Sequence, residues 1–411
     1  MSNFVETSIP WVGQVPTDWD IKPLFSVATE SKTKNKERNE NVLSLSYGRI
    51  IRRDLSKNLG LLPENFDGYQ VVDTGYIIIR STDLQNDKKS LRVGLVKESG
   101  VITSAYIGLS PSNTIHPEYL FYYLNMCDLK KVFYSLGGGL RQSLRFEEFK
   151  RFPVIVPSIE EQKLISRYLN KKTSQIDSLV EKIQKKIELL KEQRTSLINH
   201  YVTKGLDPNV EMKDTGIEWI GEIPKHWEVS KFKYFFEFGM GQTILKEDLT
   251  DDGIPVLSAT EKYTILGYYK NPRVLLKNGD LVIPARGNSI GFVKLVKEPS
   301  TSTQTTIYGR IKKQVSTVFV TFFCQGYKEH LFQFDQTAIP QITVDQVKEN
   351  YLLIPPLSEQ QGLCEKLNSI TETNEKLRDK LNQKIILLKE YRQSVISSVV
   401  TGKVRVTEDM I

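Results

Sequence analysis

The chain repeats itself at two different offsets, and this repetition decides what it can fold into before any single residue is weighed. Residues 9–21, IPWVGQVPTDWDI, return as IEWIGEIPKHWEV at 217–229, keeping Trp11 with Trp219, Gly13 with Gly221, Pro16 with Pro224 and Trp19 with Trp227 at an offset of 208. VPSIEEQ at 156–162 returns as IPPLSEQ at 354–360, and LLKEQRTSLINHYVT at 189–203 returns as LLKEYRQSVISSVVT at 387–401, both at an offset of 198. Between the matching blocks, residues 25–140 and 233–338 share little beyond short strand-like runs punctuated by Gly. The order is variable, constant, variable, constant.

The constant parts behind each variable part read as long helices. Ile176, Leu179, Ile183, Ile187, Leu190, Leu197 and Tyr201 alternate by threes and fours, the spacing of a coiled-coil seam. Leu377, Leu381, Ile385, Leu388, Val395 and Val399 continue the same phase in the second copy. Ser158 with Glu161, after Pro157, forms a capping-box pattern, Ser358 with Gln361 offers a similar one, and Gly205 and Gly402 stand where helices stop. Asn374 and the matched pair Arg194 and Arg392 interrupt the seams; polar seam residues often fix register, and a solvent-facing position or a third helix from a partner fits the same pattern equally well.

A long helix with an apolar seam needs a partner, and the simplest partner is the other helix of the same chain, packed antiparallel. The tail after the second helix, VTGKVRVTEDMI, then leads in cyclic order into SNFVETSIPW, as VTKGLDPNVEMKDTGIEW joins the first helix to the second variable part. The expected fold is α+β: two homologous globular domains separated by two long antiparallel, coiled-coil-like helices, with a pseudo-twofold circular repeat. The expected boundaries are a first globular domain over 1–157, a first helix over 158–204, a linker over 205–216, a second globular domain over 217–356, a second helix over 357–402 and a tail over 403–411.

Two matched frames carrying unlike inserts suit a recognition device, because specificity can change while the frame stays constant. Two diverged structural domains would produce the same pattern. If the inserts read DNA, polar and basic residues at loop-like positions are the candidates: Tyr47, Arg49, Arg52, Arg53, Lys57, Arg80, Ser104, Tyr106, Arg141, Gln142 and Arg145 in the first, and Gln242, Lys246, Arg286, Asn288, Ser289, Gln304, Lys312, Lys313 and Gln341 in the second. Arg forks onto guanine and Asn or Gln onto adenine, whereas Lys more often holds phosphate. Any one of them is, as a rule, only a solvated side chain. The turn Gly137-Gly138-Gly139 ahead of Arg141 and Gln142 is a better candidate, since Gly admits close backbone approach; the aligned Ile339-Pro340-Gln341 lacks those glycines.

Charge does not carry this reading. The net +7 is spread thinly, with 20 basic and 17 acidic residues over 1–157 and 16 and 15 over 217–356, so no segment is a basic block. Cys127, Cys324 and Cys364 are scattered, the start lacks a secretory pattern, and no apolar run reaches the roughly 20 residues of a bilayer span; a cytoplasmic protein with no membrane partner is expected. Catalytic signatures are missing too. There is no phosphate-binding loop, Gly239-Met240-Gly241 meets Ile244 where a dinucleotide fingerprint needs Gly, and Asn271-Pro272-Arg273-Val274 departs from the Asn-Pro-Pro-aromatic motif of amino-methyltransferases. His116, His200, His226 and His330 lie far from any triad or metal partner, so the expected metal and catalytic sets are empty.

With its repeated Trp-x-Gly-x-x-Pro-x-x-Trp opening and its Pro-x-(Ile/Leu)-x-Glu-Gln helix starts, the chain resembles Type I restriction-modification specificity subunits over essentially its whole length. The resemblance implies two target-recognition domains on two conserved helices, one half-site of a bipartite double-stranded DNA site read by each. It implies two methyltransferase (M) subunits of adenine-N6 type docked on the helices, and a restriction (R) subunit, an ATP-driven nuclease, as a further partner in defence against foreign DNA. S-adenosylmethionine, ATP and Mg would then sit on the partners and no cofactor on this chain. Pro157, Glu161, Gln162, Pro355, Glu359 and Gln360 carry over as residues of the helical frame. A structural adaptor with two protein-binding domains on a coiled coil remains an alternative, and so does a self-sufficient nuclease or methyltransferase with a cryptic site.

Overall fold

The computed structural model describes residues 3–36, 41–54, 65–84, 91–136, 143–334 and 340–411. Two compact units result, Met1–Ile183 with Gln383–Ile411, and Gln184–Asn382. Each unit takes one globular region, the first part of the long helix that follows it, and the last part of the other long helix. The circular order of the repeat is therefore the order in which the units are built.

In the first unit, strand Asp20–Pro23 pairs antiparallel with Pro153–Val156, so the chain enters and leaves the globular region side by side. Between them lies a four-stranded antiparallel sheet in the order Ala28–Ser31, Ile107–Pro111, Ile77–Ile79, Val93–Leu95. A hairpin of Leu43–Ser46 and Arg49–Arg52 stands beside it. Helix Pro117–Leu129, with Pro at its start where no N–H is needed, buries Tyr119, Leu120, Tyr123 and Leu124. Ile396, Val399 and Val400 of the second long helix and Val406 of the tail complete this core.

The second unit has the same topology although its sequence between the motifs does not match. Glu228–Lys231 pairs with Tyr351–Ile354, and the sheet order is Phe236–Met240, Thr306–Ile311, Leu281–Pro284, Lys294–Leu295. A hairpin of Ile254–Leu257 and Ile265–Tyr269 stands in the corresponding place. Ile198 and Val202 of the first long helix and Leu363 and Leu367 of the second complete the core.

The repeated motifs hold these joints together. Gly402 and Gly205 are left-handed, with φ of 72° and 77°, and each ends a long helix against the opening motif. A Cβ at Gly402 would collide with Pro16 and Trp19, and one at Gly205 would press on Trp227 and Glu359. Gln162 and Gln360 are fully buried for a second reason. Gln162 Oε1 accepts from the His116 N–H at 2.7 Å while its Nε2 donates to the Pro157 carbonyl at 2.9 Å. Gln360 does the same with the Ser316 N–H and the Pro355 carbonyl, both at 2.7 Å. Each Gln thus fastens the start of a long helix to the start of a helix in its globular region.

The long helices, Ile159–Lys204 and Leu357–Val400, pair antiparallel within each unit. In the first, Arg392 Nε meets Asp177 Oδ1 at 3.0 Å and Arg405, beyond the second helix, meets Glu161 at 2.9 Å. In the second, Asn374 Nδ2 donates to the Leu190 carbonyl at 2.9 Å. Ile176, Ile183, Ile187 and Ile385 are buried, and Leu190, Leu381 and Leu388 are half-buried. Leu179 and Leu377 correct the expected seam, being 38% and 37% exposed. At about 100° per residue Leu179 sits roughly 60° round the helix from Ile176, outside the stripe that Ile176, Ile183 and Ile187 share.

Candidate nucleic-acid interface

The sheet of each unit has one end where candidate side chains gather, because neighbouring strands run in opposite directions. In the second unit this end joins the C-termini of Phe236–Met240 and Leu281–Pro284 to the N-terminus of Thr306–Ile311. Thr243 Oγ1 donates to Gln304 Oε1 at 2.9 Å, the Ala285 N–H donates to the Thr305 carbonyl at 2.9 Å, and Arg286 bridges to Gln341 through the backbone. Arg286, Asn288, Gln304 and Gln341 are exposed there, with Ser289 half-buried beside them.

Gln242 lies at the same end, but its Oε1 accepts from the Arg273 and Val274 N–H groups at 2.6 and 3.0 Å. Its carbonyl therefore closes the Asn271–Val274 turn and leaves only the amide NH2 for a ligand. Lys246 is exposed on the short helix Lys246–Asp248. Lys312 and Lys313 stand apart from this group. The Lys312 N–H donates to the Phe235 carbonyl at 2.8 Å and Lys313 Nζ lies 5.1 Å from the centre of the Phe235 ring, which places both at the opposite end of the sheet.

The first unit repeats the arrangement with different residues. Arg80 follows Ile77–Ile79 at the equivalent end, and the Leu144 N–H, donating to the Ser81 carbonyl at 2.8 Å, brings exposed Arg145 alongside. Ser104 donates to the Gly68 carbonyl at 2.6 Å and accepts from Lys34 Nζ at 3.3 Å; Lys34 escaped the sequence reading because nothing local marks it. Tyr106 is a packing residue, half-buried against Leu43, Val72, Ile78, Val96 and Ile102. Arg52 and Arg53 are at the base of the hairpin, away from its tip, with Arg52 opposite Leu43 and the Arg53 N–H on the Val42 carbonyl. Lys57, Gly138, Gly139, Arg141 and Gln142 lie outside the described residues.

The hairpins reach the same ends. In the first unit Tyr47 and Gly48 form a two-residue turn with φ of 47° and 75°, seated on Leu91 just before strand Val93–Leu95. Arg49 follows, 3.7 Å from Asp177 of the first long helix. In the second unit the hairpin loop is residues 258–264, and the Thr303 N–H on the Leu257 carbonyl sets it beside Gln304.

Two buried cations that sequence reasoning missed shape these ends. Arg92 has no exposed surface; its Nη1 donates to the Arg80 and Thr82 carbonyls at 3.1 and 2.8 Å, its Nη2 to the Asp83 carbonyl at 2.9 Å and its Nε to the Tyr134 hydroxyl at 3.2 Å. Lys294, 4% exposed, donates to the Ser258 carbonyl at 2.6 Å and to Thr260 Oγ1 at 2.9 Å, and burial pushes its ammonium down to about 8. Both clamp a loop through carbonyl or hydroxyl oxygens, so the loops that carry candidate contacts are shaped before any ligand arrives.

Nothing at these ends resembles a reaction centre. Among the described residues no three His, Cys, Asp or Glu side chains are grouped to hold a metal ion. Cys127 and Cys324 are buried and burial pushes both thiols up, which keeps them protonated and unreactive. His116 is tied by its backbone to Gln162, and its ring is pushed down by burial.

Both units match the family model of the Type I restriction modification DNA specificity domain, over residues 16–189 and 224–386. The chain belongs to that family of specificity subunits. It is 26% identical over 332 residues to the Type I restriction enzyme MjaVIII specificity subunit of Methanocaldococcus jannaschii, covering 75% of each chain. It is 24% identical to the putative MjaX specificity subunit of the same organism, over 98% of this chain and 97% of that one. Among solved structures it superposes with TM-score 0.74 on a chain described under complex assembly and conformational transition of the type I R-M system, at 13% identity over 95% of this chain and 99% of that one. A TM-score of 0.52 relates it to the HsdS subunit from Thermoanaerobacter tengcongensis, at 16% identity over 95% and 98%. Specificity subunits are recognition components rather than catalysts. Among the described residues no helix is long and apolar enough to cross a membrane.

Proposed function

We propose that this chain reads a bipartite site in double-stranded DNA, one half-site per unit, and brings DNA methyltransferase subunits to it. The observation that carries the reading is the pair of sheet ends: one topology, one position, and unlike sets of exposed polar side chains. A protein-binding adaptor has no need of two such sets on a duplicated frame. Half-buried Arg80 and exposed Arg145 in one unit and exposed Arg286, Asn288, Gln304 and Gln341 in the other are the residue types that hydrogen-bond base edges and phosphates.

The long helices support two copies of one partner. Exposed Leu179 and Leu387 occur in the first unit, and their repeat equivalents Leu377 and Leu189 are exposed in the second. Shallow grooves repeat in the same way, lined by Glu192, Thr195, Ser196 and Asn199 in the second unit and by Glu390, Gln393, Ser394 and Ser397 in the first. Two equivalent patches of this kind fit two methyltransferase subunits of the adenine-N6 class, with S-adenosylmethionine held on those subunits, and ATP and Mg on a restriction subunit where one joins. The partners also supply phosphate contacts that two nearly neutral globular regions lack.

Mapping methylated adenines in a host that carries this chain with its methyltransferase tests the reading. A motif of two short half-sites with a constant gap is expected, and one uninterrupted motif would overturn it. In a shift assay the chain alone is expected to bind that site weakly and the assembled complex tightly.

A further inference from the structure

We propose that Tyr47 is a stacking wedge: a side chain held out from the first unit to press its ring on the bases of the DNA beside the first half-site. This rests on the DNA-reading function and names how one part of that surface engages its ligand.

Three observations lead there. Tyr47 is a bulky residue at φ 47°, a left-handed conformation that two-residue hairpin turns normally give to Asn, Asp or Gly. Among the described non-glycine residues only Asp83 and Lys131 share such a φ. Asp83 gives its carbonyl to buried Arg92, and Lys131 lies over the Tyr134 ring 5.0 Å away, so both are engaged within the fold. Tyr47 is 87% exposed, far above the next large apolar or aromatic side chain among the described residues, Tyr234 at 60%. The fold therefore tolerates strain at a position where the ring packs on nothing, and strain of that kind points to a use outside the fold.

The setting is that of an arm, not a loose loop. Gly48 sits on Leu91, which seats the turn against the end of the sheet. Arg49, 74% exposed, follows the turn two residues after Tyr47, and Asp177 braces it at 3.7 Å while Arg392 holds Asp177 at 3.0 Å. Exposed Arg49 and half-buried Ser44 and Ser46, which share one face of the hairpin, offer phosphate contacts, and the ring offers a face for stacking, the two components with which proteins grip exposed bases. Arg80 and Arg145 mark the same end of the unit, so the occupant that the charge favours is an anionic polymer.

The test uses the full chain assembled with its methyltransferase and a duplex carrying the site found by adenine mapping. Tyr47→Asn fits the turn better than Tyr, so it should melt no lower than the wild type and still bind about tenfold more weakly. Tyr47→Phe should bind like the wild type. Permanganate, which oxidises unstacked thymines, should report one reactive step at the first half-site that Tyr47→Asn abolishes and Tyr47→Phe keeps, while reactivity of the thymines opposite the methylated adenines persists in both. Unchanged affinity and an unchanged permanganate pattern in Tyr47→Asn would overturn the proposal. Loss of the methyltransferase from the DNA-free complex would overturn it as well, by making the tip a protein contact. If the wild-type complex showed no site-specific shift at all, the DNA-reading function itself would fail, a distinct result.

Discussion

The hairpin of the first unit closes in two residues and is tied at its tip from outside, through Arg49 to Asp177 of a long helix. The corresponding hairpin of the second unit carries the seven-residue loop 258–264 and is held from within, by the buried ammonium of Lys294. Each hairpin follows the first strand of the four-stranded sheet of its own unit and reaches the equivalent end of that sheet. The difference teaches that topology sets where a reading loop stands, while one or two polar side chains set its shape. Those side chains need not be related between the copies: Arg92 organises one end and Lys294 the other, and neither has a counterpart of its own kind.

Removing these clamps is the most severe way to break the comparison. Arg92→Met leaves the Arg80, Thr82 and Asp83 carbonyls and the Tyr134 hydroxyl without their donor, and a loss of about 3–5 kcal/mol is expected, read as an early-melting transition of the first unit in calorimetry. An unshifted transition would mean the loop is shaped by something else. Lys294→Met should cost less, about 1–3 kcal/mol, because only the Ser258 carbonyl and Thr260 hydroxyl lose a donor. Its distinctive effect should be relaxed sequence choice in one half of the mapped motif with the other half unchanged.

The pH dependence of the same lysine sharpens the contrast. Its folded value, about 8, lies below that of an unfolded lysine near 10.4, so between these values the unfolded chain binds more protons. Stability should therefore rise from pH 8 toward pH 10 in the wild type relative to Lys294→Met. An equal change in unfolding free energy between pH 8 and pH 10 for wild type and Lys294→Met, read from denaturant titrations, would remove Lys294 as a buried charge.

Smaller effects are expected in the helices. Asn374 stands where the repeat has Ile176, and its Oδ1 is buried without a hydrogen bond. Asn374→Ile should stabilise the second unit by about 1 kcal/mol, seen as a higher denaturation midpoint. Asp177→Asn should cost only about 0.5–1 kcal/mol, since the cluster is partly solvated, with Arg49 74%, Asp177 38% and Arg392 30% exposed, and the difference should shrink as salt is added.

The parts legible in sequence were those where the same physical demand is met twice. Trp19 with Gly402 and Trp227 with Gly205 solve one packing problem, the end of a long helix against an opening turn, so the same residue types recur and the repeat can be seen. Gln162 and Gln360 recur because a buried amide is needed to satisfy one donor and one acceptor at each helix start. Lys312, Lys313 and Tyr106 show the limit. Each looked like a surface contact by residue type, yet whether a side chain lies at the reading end, at the far end or in the core depends on strand pairing between distant residues.

The sequence by itself determined the duplicated frame, the two helices, the circular order and the absence of a basic block, because each is a matter of pattern along the chain. Only the tertiary structure decided which candidates converge, which are consumed in holding a turn, as Gln242 is, and that two unremarkable cations, Arg92 and Lys294, shape the loops. The physical reason is that these roles rest on burial and on hydrogen bonds to backbone oxygens. A carbonyl oxygen looks the same in every residue, so a partner for it leaves no mark in the sequence.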